Sequence, residues 1–125
     1  MNYGQIALDA TNAFQQLLST TLLQAWSNSL KINNTNDKDC PRVAFLGLCE
    51  DGFVANVPKG NYIQKTNVSV IKQKAIGIRN IIMNNNPPSI PTQSKNSIWS
   101  QVGGTGQDQG VIDVVYTLFN NGILL

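Results

Sequence analysis

Two cysteines nine positions apart, Cys40 and Cys49 in the stretch CPRVAFLGLCEDGFV, are the most reactive side chains in this sequence. The pair could be a redox couple, metal ligands, a nucleophile with a bystander, or core. Histidine is absent, so Ser-His-Asp and Cys-His schemes have no imidazole to act as base. The same absence removes Cys₂His₂ zinc sites, and two cysteines do not supply Cys₄. If both thiols lie on one helix, nine rises of 1.5 Å separate them by roughly 13 Å. A disulfide needs Cα atoms within about 7 Å, so an intrachain bridge is not expected. Val43 to Cys49 is apolar or small on every side, the pattern of a helix buried all round, and Cys49 then reads as a small core residue. Cys40 is different. A thiol at a helix N-terminus beside Arg42 has two influences that lower its pKa and raise its reactivity.

The charged residues offer a second kind of chemistry. Glu50 and Asp51 are adjacent, so on a helix they point about 100° apart and do not converge as an acid–base pair. That helix carries Arg42 in its first turn and Glu50 with Asp51 in its last, against the preference of the helix dipole, which marks a contact or a solvated end. No acid occurs between Asp51 and Asp108, while Lys59, Lys65, Lys72, Lys74, Arg79 and Lys95 do. Lys65, Lys72 and Arg79 are spaced by seven and fall along nearly one line of a helix. An unneutralised basic stripe suggests an anionic partner: nucleic acid, an acidic protein face, or another copy's acidic end. GGTGQDQG (103–110) lacks the lysine and hydroxyl residue of a P-loop, although its backbone N–H groups could hold an anion. Asp113 shares one side of its helix with Gln109, Tyr116, Thr117 and Asn120, and reads as part of a polar face. The candidate ligand- or partner-binding residues are therefore Cys40, Arg42, Glu50, Lys59, Tyr62, Lys65, Lys72 and Arg79. No catalytic group, metal or cofactor is expected.

The elements that position these residues follow from periodicity. At 125 residues, 42% hydrophobic and 13% charged, the chain suits one domain with one core. The pattern predicts an all-α fold of about five helices, with a short turn-rich or hairpin-like arm around 53–64. The first helix runs from Asn2 or Tyr3 to about Leu18, and the second carries Leu22, Leu23, Trp26 and Leu30. The third begins beside Asp39 or Cys40, with Pro41 in its first turn, and Gly52 reads as its left-handed stop, with Phe53 closing the end. A long helix follows Thr66 or Asn67, with Val68, Ile71, Ala75, Ile78 and Ile82 on its apolar face, until NNNPPSIPTQ (84–93) ends it. A short helix covers about Ser94 to Val102, and Gly122 caps the last one. AFLGLCEDGFV and VVYTLFNNGIL each place a glycine after an apolar helix and two apolar residues after it; a shared stop mechanism accounts for this echo without a repeat. The first residues lack the basic segment of a secretory signal. No apolar stretch approaches the roughly 20 residues that span a bilayer. A cytoplasmic protein with free thiols and no membrane contact is the expectation.

The stretch CPRVAFLGLCEDGFV, continuing into VPKGNY, resembles a family of small uncharacterised bacterial proteins. The family's pattern is matched by Tyr3-Gly4, Ala25-Trp26, Cys40 to Gly52, Gly60-Asn61-Tyr62, Trp99, Asp113-Val114-Val115 and Gly122. The resemblance implies no activity; an association with mobile gene cassettes implies an accessory role in bacteria. Family members with histidine and asparagine before the Asp-Val-Val segment differ from this chain, which has GQDQGVI there. Three functions compete: a non-enzymatic helical binding or regulatory module, with a homodimer as one assembly open to it; a nucleic-acid-binding protein with a winged-helix-like element; and a small-ligand binder or enzyme using a pocket near Cys40. The cysteine spacing makes one prediction directly. After unfolding without reductant, alkylation should add two labels to the intact mass; a mass two units low with no label would refute the placement of both thiols on one helix.

Overall fold

Apolar residues at helical spacing between glycine, proline and polar breaks fold as helices throughout. The computed structural model describes residues 2–16, 21–63 and 69–125. Within them lie six helices: α1 (Tyr3–Gln16), α2 (Leu22–Ile32), α3 (Asp39–Glu50), α4 (Ser69–Asn84), α5 (Lys95–Gln101) and α6 (Val111–Asn120). The expected count of about five is thus one short. The continuation of α1 through Leu17 to Leu18, the start of α4 near Thr66 or Asn67, and Val68 lie outside the described residues.

Side-chain oxygens set the starts of α1, α2, α5 and α6, whereas α3 begins without a side-chain cap. Thr21 closes a capping box on α2: its hydroxyl accepts from the Gln24 N–H, and its own N–H donates to the Gln24 side chain, each at 3.1 Å. Ser94 accepts from the Ser97 N–H at the start of α5. α1 has a local cap, with Asn2 Oδ1 accepting from the Gln5 N–H at 3.0 Å, and a second one from far away. Asp113 Oδ2 on α6 accepts from the Gly4 N–H at 2.7 Å, placing a carboxylate at the positive end of α1. A side chain at Gly4 would prevent this, because a Cβ there would lie 2.0 Å from Thr117 Oγ1. Asp113 is therefore a helix cap on α1, not a member of a solvated polar face.

Stops are more uniform. Four helices end in a residue of positive φ: α2 at Asn34, α3 at Gly52, α5 at Gly103 and α6 at Gly122. Each closes with the bond that defines a Schellman motif, from Thr35 to Leu30, Phe53 to Leu48, Gly104 to Trp99, and Ile123 to Leu118. The echo between the ends of α3 and α6 has a spatial counterpart. The segments released by these two stops pair antiparallel at Val54 and Leu124, through Ala55 N–H to Ile123 O and Leu125 N–H to Phe53 O, both 2.8 Å. The arm that follows α3 is turn-rich, as expected, but it is not a hairpin. Its partner is the tail after α6, so the winged-helix reading loses its wing.

The core forms around α3. Its residues Val43 to Cys49 are buried on all sides, against α4 and α6 and, less extensively, α1 and α2. Trp26 stacks on Phe45 at 5.5 Å between centroids, and Ser29 Oγ donates to the Ile6 carbonyl to tie α2 to α1. Ala75, Ile78 and Ile82 form the buried stripe of α4, with Ile71 half-buried at its edge.

Gly47 decides how closely α4 approaches. A Cβ there would lie 2.6 Å from Lys72 Cγ and 2.8 Å from Lys72 Cβ, with the Lys72 Cα at 3.2 Å. Rotating a side chain does not relieve contacts to Cβ and Cα, so the α4 backbone must move. Gly47→Ala should cost about 1–3 kcal/mol by overpacking, although alanine gains about 1 kcal/mol in helix propensity. Denaturant melts check this; a variant more stable than wild type would show that the contact yields freely.

Candidate functional site

The closest-knit group of charged side chains lies at the C-terminal end of α3. Glu50 Oε2 accepts from the N–H groups of Tyr62 and Ile63 at 2.8 and 2.7 Å, and Glu50 Oε1 accepts from Lys72 Nζ at 3.0 Å. Lys72 also pairs with Asp51 at 2.9 Å. Burial pushes the Glu50 carboxyl upward, but the bonds from Ile63, Lys72 and Tyr62 outweigh it, so its pKa falls below the ordinary 4.5. Burial likewise opposes the charge on Lys72, yet Asp51 and Glu50 together hold its pKa above 10.5. The acids that violate the dipole preference of α3 are thus answered by a cation from α4. The group is a latch joining α3, α4 and the arm.

The other sequence-selected residues are engaged one by one. Arg42 pairs with Asp37 and Asp39, and Asp37 also accepts from the Trp26 indole at 3.1 Å. Arg42 therefore organises the loop before α3 and is not turned to Cys40. Burial pushes the Cys40 thiol up, and Asp39 pushes it further, with only a small opposing effect from Lys38. The expected activation of Cys40 is reversed by burial, which the sequence does not show, and by Asp39, its immediate neighbour in it. Cys49 is fully buried and its thiol is raised further still. Both cysteines are free.

The basic stripe is also accounted for inside the chain. Lys72 is held by the latch. Arg79 donates through Nε to the Leu125 main-chain oxygen at 2.7 Å and lies 4.1 Å over the Phe53 ring, gripping both segments of the β-bridge. Lys65 lies outside the described residues. Lys59 is exposed, with its stem over Gly52, and Tyr62 closes the arm by donating to the Pro58 carbonyl at 2.6 Å. In the glycine-rich segment before α6, Asp108 accepts from the Ile112 N–H at 2.8 Å. Tyr116 Oη is buried without a hydrogen-bond partner among the described residues.

A concavity of a different character lies between the end of α4, the proline-rich loop and α5, with a volume of about 550 Å³. Ile81, Ile90 and Pro91 are half-buried and form its floor, whereas Asn85, Asn86, Ser89, Thr92, Gln93 and Gln101 are exposed around it. Asn85 Nδ2 donates to the Ser89 carbonyl at 2.9 Å, and Gln101 donates to Gln93 across the opening. Among the described residues, none that lines it is charged. Sequence reasoning took NNNPPSIPTQ only as a helix stop; its run of ten uncharged residues was the available signal.

A family of unknown function, DUF6979, matches residues 1–125. The chain belongs to this family. No curated protein and no solved structure matches it. In this DUF6979 chain Gly4 admits the Asp113 cap, Trp26 anchors Asp37, Glu50 holds the arm, and the Trp99 ring covers Gly104. No helix of the described residues is long and apolar enough to cross a membrane.

The latch predicts a pH signature. A carboxyl whose pKa is depressed on folding adds stability above its unfolded pKa, and that stability is lost as pH falls through the folded value. Lys72, raised on folding, adds stability that is lost above 10.5. Glu50→Gln should therefore cost about 1–3 kcal/mol at neutral pH, and its deficit relative to wild type should shrink below pH 4.5. Urea melts across pH measure both; a deficit unchanged between pH 7 and pH 3 would show that charge on Glu50 is irrelevant to the latch.

Proposed function

We propose that this DUF6979 chain is a non-enzymatic helical binding module whose binding site is the uncharged groove between α4 and α5. The observation that carries this reading is the contrast between two sets of polar groups. Glu50, Lys72, Arg42 and Arg79 are tied to partners within the chain, and the Cys40 thiol is held in its protonated form by burial and Asp39. The amides of the groove, at exposed positions beside half-buried Ile81, Ile90 and Pro91, bond to one another and to Ser89. A concavity of this volume that combines apolar residues with polar groups is one form a ligand site takes. Its freedom from charge selects neutral ligands, since an ion would lose hydration there with no counter-charge to replace it.

One observation favours a second reading, contact with an anionic partner. All the acids have partners inside the chain: Asp9 with Gln5 and Asn33, Asp37 and Asp39 with Arg42, Glu50 and Asp51 with Lys72, and Asp108 and Asp113 with backbone N–H groups. Among the described residues, Lys31, Lys38, Lys59, Lys74 and Lys95 form no ion pair, so the field outside the protein is set by lysines. Contacts of this kind weaken as salt rises; binding in the groove should not.

A fragment screen by ¹⁵N NMR, with equal numbers of neutral, anionic and cationic compounds, separates these readings. The neutral set should shift Ile81, Ile90 and the side-chain amides of Asn85 and Gln93 in a saturable manner. Saturable shifts from anions at the lysines in about 150 mM salt, with the groove silent, would replace the first reading with the second. A fragment bonded to Cys40 would restore the enzyme or thiol-pocket alternative.

A further inference from the structure

Two helix stops in this fold are built from dipeptides that can rearrange chemically. Asn121-Gly122 is the one Asn-Gly pair in the sequence, and Asp51-Gly52 is the one Asp-Gly pair. In such a pair the glycine nitrogen, unshielded by a side chain, can attack the side-chain carbonyl carbon of the residue before it and close a five-membered succinimide. The two pairs end α6 and α3, each with its glycine in the left-handed region. The segments they release are the two that pair at Val54 and Leu124. A covalent change at either stop therefore reaches the same bridge.

The native turn forbids the attack. Ring closure needs the Asn121 Cβ and the Gly122 nitrogen eclipsed about the Cα–C bond. Asn121 has ψ 8°, which eclipses its own nitrogen with that of Gly122 and leaves Cβ a third of a turn away. Three bonds hold this geometry: Gly122 N–H to the Phe119 carbonyl at 3.0 Å, Ile123 N–H to the Leu118 carbonyl at 3.1 Å, and Asn121 Nδ2 to the Thr117 carbonyl at 2.8 Å. Beyond the turn, the bridge bonds and Arg79 hold the tail against the arm. Yet Asn121, Gly122 and Leu125 are exposed, and an exposed segment held by a few main-chain bonds opens at lower cost than the core. Asp51 differs. Its turn has the same form, with ψ 5°, but its carboxylate pairs with Lys72 at 2.9 Å, and a carboxylate resists nucleophilic attack far better than an amide does.

We infer that Asn121 is a self-modification site gated by the tail: when residues 123–125 lift from the arm, the Gly122 nitrogen closes on Asn121, and the product keeps the tail from returning. In the first step the Gly122 N–H proton passes to solvent base and the nitrogen bonds to Asn121 Cγ. The side-chain nitrogen takes up a proton and leaves as ammonia. Water then adds to one of the two imide carbonyls and breaks its C–N bond, giving aspartate or isoaspartate. The sum is amide plus water to acid plus ammonia, with nothing oxidised or reduced. Either product lacks the donor to Thr117 and places a negative charge at the negative end of the α6 dipole. Isoaspartate also adds a methylene to the main chain, which shifts the Ile123 and Leu125 N–H groups off the carbonyls of Leu118 and Phe53. The site is independent of the groove between α4 and α5.

The test holds the full chain at mildly alkaline pH, digests samples in acid, and follows the Asn121 peptide by its mass gain of one unit and its split into aspartate and isoaspartate forms. Folded wild type should convert at least about tenfold more slowly than the same chain in strong urea, and the rate should rise in low urea before the global transition. Arg79→Ala, which removes the grip on Leu125, should convert faster than folded wild type, while Asp51 in the folded chain stays unchanged. The isolated isoaspartate form should exchange the amide hydrogens of Ala55, Ile123 and Leu125 at least about tenfold faster than unmodified protein. Equal rates for folded and unfolded wild type would remove the gate, as would a folded Arg79→Ala chain that converts no faster. Asn121 left intact in urea while other asparagines convert would overturn the site itself. Unchanged exchange at those three amides in the isoaspartate form would overturn the release of the tail.

Discussion

The ion pair of Lys72 with Glu50 and Asp51 is the constraint from which most of the architecture follows. A helix ending in two acids next to its own negative dipole is unfavourable by itself. α3 ends so because α4 delivers a cation there, and α4 comes close enough because Gly47 leaves no side chain between them. The same Glu50 turns its other oxygen to the arm and fixes Tyr62 and Ile63. One residue of α4 thus sets the spacing of two helices and the course of the chain leaving α3. A second, Arg79, spaced two turns further on, holds the segments that leave α3 and α6.

This economy of charge bears on chemistry. Catalytic acids and bases need pKa values near their working pH. Here the environment moves Glu50, Lys72 and Cys40 away from neutrality, each towards the protonation state that suits a fixed structural role. The carboxylates near backbone N–H groups, Asp108 and Asp113, do the work that serine or threonine does at other helix starts. In a chain with only seven acids, giving each one an internal partner leaves the exposed surface to lysines and neutral amides.

Much of the local structure was legible in the sequence because it is caused locally. Pro41 and Gly52 bracket α3, Gly122 ends α6, and the apolar run from Val43 to Cys49 marks the buried helix, all through interactions within five residues. What was not legible depends on which elements face each other. The spacing of Lys72 and Arg79 was visible, but not that α3 and the C-terminal tail lie opposite them, so an internal grip read as a surface for another molecule. Arg42 stood beside Cys40 in sequence, yet its guanidinium turns to Asp37 and Asp39. Asp113 read as polar because Gly4, its partner, is 109 positions away. The groove failed to register for a related reason: its residues are individually bland, and only the return of α5 beside α4 makes them a concavity.

The bond between Gly4 and Asp113 also orders events in time. It closes a loop of 109 residues, and loop closure of that length carries an entropic cost that local turns do not. α1 and α2 lie together and draw on near neighbours, so they can associate as soon as both have left the ribosome. Asn2 can cap the Gln5 N–H at that stage, but the Gly4 N–H meets its carboxylate only when α6 packs against α1. Until α6 arrives, the amide of Gly4 and the small-residue surface beside it stay open to water. One bond of the first turn of α1 thus waits on the helix most distant from it in sequence.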